Sequence, residues 1–246
     1  MPHPDQSSTR NILLRAMSPD DYGVLQPHLR RVAVEREMVM VPAHTPVEHV
    51  YFMEEAIASI VSDTPGKSRT EVGIFGYEGV SASFLLLGSD RSPHETFIQV
   101  GGGFALRIAA DRYLEAIEQS RTMRTLLLRY VQTLTVQTAQ SAATNAHQRI
   151  ESRLARWLLM CHDRVEGDEI RLTHEFIGMM IAAERSGVTV ALHILEGAGM
   201  IRSTRGRVLI VDRAKLIDMA GEGYGVPELE YRRLIGSFGK DGVGQP

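Results

Sequence analysis

The sequence predicts an α+β chain in three successive parts: an N-terminal, jelly-roll-like β-roll, one long helix, and a C-terminal unit of short helices closed by a β hairpin. Three observations carry this expectation. Residues 31–110 hold many short runs rich in Val, Ile and Phe, separated by turn formers. Residues 111–145 contain neither Gly nor Pro. Residues 172–212 place two short, helix-periodic apolar stretches ahead of an arginine-bearing hairpin.

The bulk numbers fit a globular protein of one large domain or two small ones. The chain has 246 residues, 43% of them hydrophobic and 23% charged. Its longest apolar runs, such as Phe84 to Leu87 and Trp157 to Cys161, are too short to span a bilayer. The segment Met1 to Arg10 is polar and lacks an apolar signal core, so a cytoplasmic location is expected. Cys161 is the only cysteine, which rules out a disulfide within the chain and a four-cysteine iron–sulfur cluster. It sits in an apolar run and is expected to be a buried structural thiol. The net charge is −3, so any attraction for nucleic acid must be local. From Arg171 to Arg213 six arginines face four acids, a mildly basic stretch in an acidic chain.

Element by element, Ser18 is an N-cap candidate with Pro19 at the first helical position, for a short helix to about Leu25. Strands are expected at Arg31–Val34, Met38–Val41, Val50–Met53, Ala56–Ser62, Glu71–Phe75, Thr96–Val100 and Phe104–Ile108. Turns are expected at 42–46, 63–68 and 101–103. Along the following helix, Leu127, Val131, Leu134, Thr138 and Ser141 alternate steps of four and three. That stripe is either a parallel homodimer seam or a face packed on its own domain. A second helix, 146–165, carries Ile150, Leu154, Trp157 and Leu158 on one face and stops at Gly167. The tail beyond Gly221 is Gly-rich and is expected to be poorly ordered, apart from a short helix around Pro227–Ile235.

Residues 172–212 carry the chemistry. Thr173 is a suitable N-cap, with Glu175 in the first turn. Ile177 and Ile181 face inward, and Gly178 permits a close helix crossing. The chain turns near Ala183–Glu184, and a second helix buries Val188, Leu192 and Leu195 before Gly197 and Gly199 stop it. Ile201 to Asp212 then reads as two strands about an Arg205-Gly206 turn, placing Arg202, Arg205 and Arg207 where cations meet a sugar-phosphate backbone. Capped helix, tight turn, second helix and arginine hairpin together define a winged helix-turn-helix, whose partner is double-stranded DNA.

In Arg153–Leu159 and Leu172–Asp212 the chain resembles the Crp–Fnr family of transcription regulators. The resemblance implies a cyclic-nucleotide-binding-like sensor domain at 10–110, a dimerisation helix at 111–145, a winged helix-turn-helix DNA-binding domain at 146–220 and a tail at 221–246. By position it puts Arg185, Ser186 and Val190 at base edges in the major groove, with Thr189 also among the residues that contact DNA. His193 falls at a phosphate or in solvent, and Thr173 at a phosphate on a helix N-terminus. The chain departs from the family pattern at Ala182, where a turn glycine is usual, at Glu184, where Ser or Thr usually caps, and at Val190, which is often Arg. Glu184 is expected to pair with Arg185 or to accept from a cytosine. The implied partners are duplex DNA, a second copy of the chain and RNA polymerase.

In the sensor part, the positions matching the family's effector site are Gly76, Glu78, Gly79, Arg91 and Ser92. Glu78-Gly79 reverses the usual order, and Arg91-Ser92 is displaced and stiffened by Pro93. Cyclic AMP is therefore not expected, and Arg91 and Ser92 are expected to form a solvated turn. The cofactor is unknown. Haem stays open, with His44, His49 and His94 in the sensor region. No phosphate-binding loop, His-Glu-x-x-His or Gly-x-Ser-x-Gly pattern is present, so no enzyme is expected. The alternative reading is a ligand-binding signalling module that acts through protein partners, which the acidic net charge and Glu184 favour.

Overall fold

A computed structural model describes residues 3–63, 69–172 and 174–240 of the chain. Two short helices, α1 (Ile12–Ala16) and α2 (Pro19–Leu25), lead into the roll. Ser18 caps α2 as expected: its hydroxyl oxygen accepts the Asp21 amide at 3.1 Å. Seven strands follow: β1 (Arg30–Val34), β2 (Val39–Val41), β3 (His49–Met53), β4 (Ile57–Ser62), β5 (Thr70–Phe75), β6 (Glu95–Val100) and β7 (Gly103–Ala109). They form two antiparallel sheets, in the orders β1-β7-β3 and β2-β6-β4-β5. Each strand matches one expected from the sequence, with ends moved by one residue.

The second sheet positions everything that follows. Ala58 lies opposite Phe75 and Ile98, and all three join the core of the roll. Ser59 lies opposite Ile74 and Phe97 and points the other way. Beyond Ile60 the register slips: Ile60 pairs with Gly73 but Val61 pairs with Glu71. The extra residue, Val72, makes a β-bulge, so Glu71 and Ile74 emerge on the same outer face although they are three apart. Ile57, Ile74 and Val100 on that face belong to the core of the C-terminal unit. The two units thus share one sheet as a wall.

The single helix expected over 111–145 is two helices, α3 (Ala110–Gln119) and α4 (Arg121–His147). The break falls at Ser120, which has extended backbone and caps α4 by accepting the Met123 amide at 3.1 Å. Its hydroxyl also donates to the Asp21 carboxylate, and Thr122 donates to the same carboxylate at 2.7 Å. A side-chain cap anchored in α2 thus does what Gly or Pro usually does. On α4 the residues that pack inward include Met123, Leu127, Tyr130, Thr133 and Gln137. Leu127 is fully buried in the core of its own roll and cannot form part of a seam with another chain.

The C-terminal unit is built around α5 (Ile150–His162), whose Leu154, Trp157, Leu158 and Cys161 are buried. Strand β8 (Glu169–Arg171), helices α6 (His174–Met180) and α7 (Arg185–Gly197), and strands β9 (Ile201–Thr204) and β10 (Arg207–Ile210) follow. The small sheet has the order β8-β10-β9. Helices α8 (Arg213–Ala220) and α9 (Val226–Leu234) complete the chain. The sequence reading missed β8 and α8, and it took the tail to be loose. Through Lys240 the tail is instead docked. Tyr231 is buried, its hydroxyl donates to the Glu78 carbonyl at 2.7 Å, and Phe238 packs edge-on against its ring at 4.7 Å. Two aromatic anchors outweigh the flexibility of the glycines around them.

Ala182, in the turn between α6 and α7, has a φ of +50°. An L-residue in this left-handed region costs about 1–2 kcal/mol relative to glycine, part of which glycine returns as unfolded-chain entropy. Ala182→Gly is therefore expected to stabilise the chain by up to about 1 kcal/mol in urea unfolding. Gly178 is required for a different reason. A Cβ there would lie 2.9 Å from the Ala183 carbonyl oxygen, so the tight crossing expected from the sequence is present.

Candidate nucleic-acid interface

Helix α7 is amphipathic because its apolar residues recur at helical spacing. Val188, Ala191, Leu192 and Leu195 are buried, and a Cβ on Gly187 would lie 2.8 Å from Ile150 of α5. The opposite face is open: Arg185, Ser186, Val190 and His193 are exposed. Val190 and Ile194 are exposed apolar residues one turn apart. Apolar groups in that position suit the thymine methyl in a major groove. Thr189 is only partly open, and its hydroxyl donates back to the Arg185 carbonyl at 3.1 Å. Glu184, at the N-cap, makes no capping hydrogen bond and no ion pair with Arg185. Neighbouring residues at a helix start do not face each other, so the pairing expected from the sequence does not form. Thr173 lies outside the described residues.

Beside this face stands the hairpin β9–β10, turning at Arg205-Gly206 with Gly206 at a φ of +76°. Arg202, Arg205 and Arg207 are all exposed. Arg207 lies 3.6 Å from Glu169, which also pairs with Arg171 at 3.2 Å. Arg202 and Arg205 have no carboxylate partner among the described residues.

The unit that presents this surface is clamped to the roll by buried polar contacts. Trp157 donates its indole N–H to Glu71 at 3.0 Å, and Ser59 donates to the other Glu71 oxygen at 2.7 Å and also contacts Gln99. Phe176 of α6 stacks near Phe97 of β6, at 6.4 Å between ring centres. Arg164, just past α5, forms a buried ion pair with Glu78 at 2.8 Å, their side chains being 2% and 3% exposed.

These contacts settle where the candidate effector residues lie. Gly76, Glu78 and Gly79 sit at the clamp: Glu78 accepts the Gly76 amide at 2.9 Å as well as the Arg164 guanidinium. A Cβ on Gly79 would lie 2.5 Å from the Tyr130 hydroxyl, so the glycine serves packing. Arg91 is exposed and paired with its neighbour Asp90 at 2.8 Å, the solvated turn that was expected. Ser92 lines a separate cavity. The five do not form one site. Arg164, which takes the Glu78 carboxylate, was missed because in sequence it reads as an ordinary cation at a helix C-terminus.

Burial pushes Glu71 up to about 8 from its usual 4.5, against hydrogen bonds from Ser59 and Trp157 that pull it down. A carboxyl that holds its proton more tightly when folded adds stability that is complete at low pH. That stability is lost as pH rises from about 4.5 and is gone above about 8. Glu71→Gln is expected to flatten this decline, measured as urea-unfolding free energy from about pH 5 to about pH 9.

The surface and its support define a class: a winged helix carried on a β-roll through a long helix. Residues 152–219 match the Crp-like helix-turn-helix domain family. A transcriptional regulator of the crp/fnr family from Eubacterium rectale has the same fold at 13% identity and a TM-score of 0.67, covering 85% of this chain and 97% of its own. A CRP-family regulator from Thermus thermophilus matches at 19% identity and 0.65, over 78% and 97%. The c-di-GMP-responsive global regulator CLP of Xanthomonas campestris matches at 14% and 0.63, over 78% and 99%. No curated protein matches the sequence. Residues 152–219 thus form a Crp-like helix-turn-helix domain, and the chain as a whole shares the fold of these solved regulators. Among the described residues no helix is long and apolar enough to cross a membrane.

Proposed function

We propose that the chain regulates transcription by binding a near-palindromic duplex as a homodimer, each copy placing α7 in a major groove. The open face of α7 beside the uncovered wing arginines supports this most directly. Arg185 is the guanine reader, Ser186 and Val190 read its neighbours, and Glu184, free of Arg185, accepts from a cytosine amino group. Thr173, Thr189 and His193 support from the flanks, and Arg202, Arg205 and Arg207 hold the backbone. The sensor unit comprises residues 10–110 and the DNA-binding unit residues 146–220, with the tail through Lys240 a strap between them. RNA polymerase is a further partner at activated sites.

The dimer seam uses the outer face of α4. Val131, Leu134 and Thr138 stay partly or fully open, whereas Ser141 accepts from Arg156 at 3.1 Å. With Leu127 buried, the stripe that fits a second helix is Leu128, Thr135, Ala139 and Ala142, all exposed and at heptad spacing.

Selection from a randomised duplex pool over a salt series tests the reading. A palindrome should be enriched, and binding should weaken steeply with salt. Arg185→Ala should cost about 1–3 kcal/mol on the selected site and relax one position of it. Arg205→Ala should weaken all duplexes alike and reduce the salt slope by about 0.9. Absence of any selected sequence, with a protein partner captured through α7, would favour the signalling-module reading.

A further inference from the structure

The last described stretch, 235–240, has no helix or strand of its own, yet it touches both units. On the roll side, the Gly239 amide donates to the Tyr77 hydroxyl at 3.2 Å. On the C-terminal side, the Lys240 amide donates to the Asp163 carboxylate at 3.2 Å. The Lys240 ammonium reaches Asp168 at 3.2 Å, the His162 ring at 2.8 Å and the Gly167 carbonyl. Between these two anchorages Phe238 packs on the Tyr231 ring, with the Arg164 guanidinium 5.1 Å from its own ring. Phe238 and Tyr231 border, with Arg164 and Glu78, a space of only about 10 Å³, no more than a single water needs. Phe238 is thus a lid that keeps the buried Arg164–Glu78 pair dry.

We propose that residues 235–240 are an autoinhibitory latch: closed, they keep the C-terminal unit seated on the roll, and released, they free it to fit a duplex. The inference rests on reading that unit as the DNA-binding one. What the seat holds is α6. Phe176 lies near Phe97 of β6 and 4.7 Å from the Arg36 guanidinium, and the Met180 sulfur is 3.9 Å from the Ser59 hydroxyl. On DNA, the first helix of a helix-turn-helix crosses the backbone while the second lies in the groove. A unit held by its first helix meets a duplex in an orientation set by its own chain, not by the spacing of two major grooves. Affinity then falls in proportion to the fraction of chains that are unseated. The latch is built to open before the fold does. The Asp168 side chain is 61% exposed and that of Lys240 28%, and exposed ion pairs contribute little to stability. Once Phe238 lifts, water reaches the Arg164–Glu78 pair, and attraction between charges in water is a small part of that in a dry interior. A weak contact at Lys240 thus governs a strong one beneath it.

Two variants test the latch: Lys240→Glu, which sets a carboxylate against Asp163 and Asp168, and a chain ending at Leu234. The segment removed, 235–246, carries one lysine and one aspartate, so the shortened chain keeps its net charge. Lys240→Glu adds negative charge, which by itself weakens binding to DNA. Both variants should nevertheless bind the duplex selected by the parent more tightly, the shortened chain by about tenfold, as when about one parent chain in ten is unseated. A palindrome selected by the variants but not by the parent is the same result at its limit. Trp157, the only tryptophan and part of the seat, should become more open to acrylamide quenching in both. A tail that serves stability alone would lower the unfolding midpoint and leave duplex affinity unchanged or reduced. That result in either folded variant overturns the proposal, as does tighter binding without greater quenching of Trp157. If the shortened chain does not fold, Lys240→Glu decides. Greater quenching in proteins that select no duplex, parent and variants alike, refutes the regulator reading and leaves the strap as the fastening between the two units.

Discussion

Arg164→Met is expected to destabilise the chain by about 3–5 kcal/mol in urea unfolding, among the largest effects of any single substitution here. Arg164 and Glu78 are both almost wholly buried, and the pair closes at 2.8 Å. Removal of the guanidinium leaves the Glu78 carboxylate in the interior with the Gly76 amide as its remaining neighbour hydrogen bond. The loss extends further, since Arg164 also donates to the Met160 carbonyl at 2.7 Å and lies over the Phe238 ring at 5.1 Å. Arg164→Met combined with Glu78→Gln should recover most of the loss, because a buried pair contributes little net stability once neither charge is stranded. Failure of the double variant to recover would mean that packing on Phe238, and not charge, holds this point.

The pair also joins units far apart in sequence, so its loss should be felt as undocking before full unfolding. Trp157 is the only tryptophan and sits at the same interface, hydrogen-bonded to Glu71. Its fluorescence should therefore change at lower urea than the far-ultraviolet signal in Arg164→Met, and together with it in the parent protein.

What could be read from the sequence follows from the range of the interactions involved. All seven strands of the roll, the capped α2, the turn before α7 and the wing rest on local patterns of periodicity, caps and glycines, and all are present. The outward face of α7 was legible because its buried residues are spaced so clearly. Besides β8 and α8, four features were not. The break at Ser120 depends on Asp21, the inward face of Leu127 depends on where the roll lies, and the tail is held by Tyr231 and Phe238 reaching back to the roll. The fourth is the fate of Glu78, whose partner is 86 residues away. Each is decided by a contact between distant segments, to which a short motif is blind. A carboxylate in a family-like position was read as a ligand for an effector, yet it is the receiving half of an internal clamp.

Trp157→Ala should cost about 3–5 kcal/mol, and its comparison with Trp157→Phe separates two causes. The indole is nearly fully buried and lies in the core of the C-terminal unit, so alanine leaves a large cavity that a close-packed interior fills only partly. Phenylalanine keeps most of that volume but removes the N–H, leaving one oxygen of the buried Glu71 without its donor. Its cost should be about 1–3 kcal/mol, the range for a stranded buried acceptor. Glu71 would then hold its proton still more tightly, because one of the two hydrogen bonds that pull its pKa down is gone. The penalty in Trp157→Phe should therefore grow as pH rises, where the parent must keep or lose that same proton. Adding Glu71→Leu to Trp157→Phe should remove the pH dependence and part of the penalty, because neither polar group is then left unpaired across the wall between the units. A penalty equal in Phe and Ala variants would show instead that the hydrogen bond, and not the filled volume, holds the helix to the sheet.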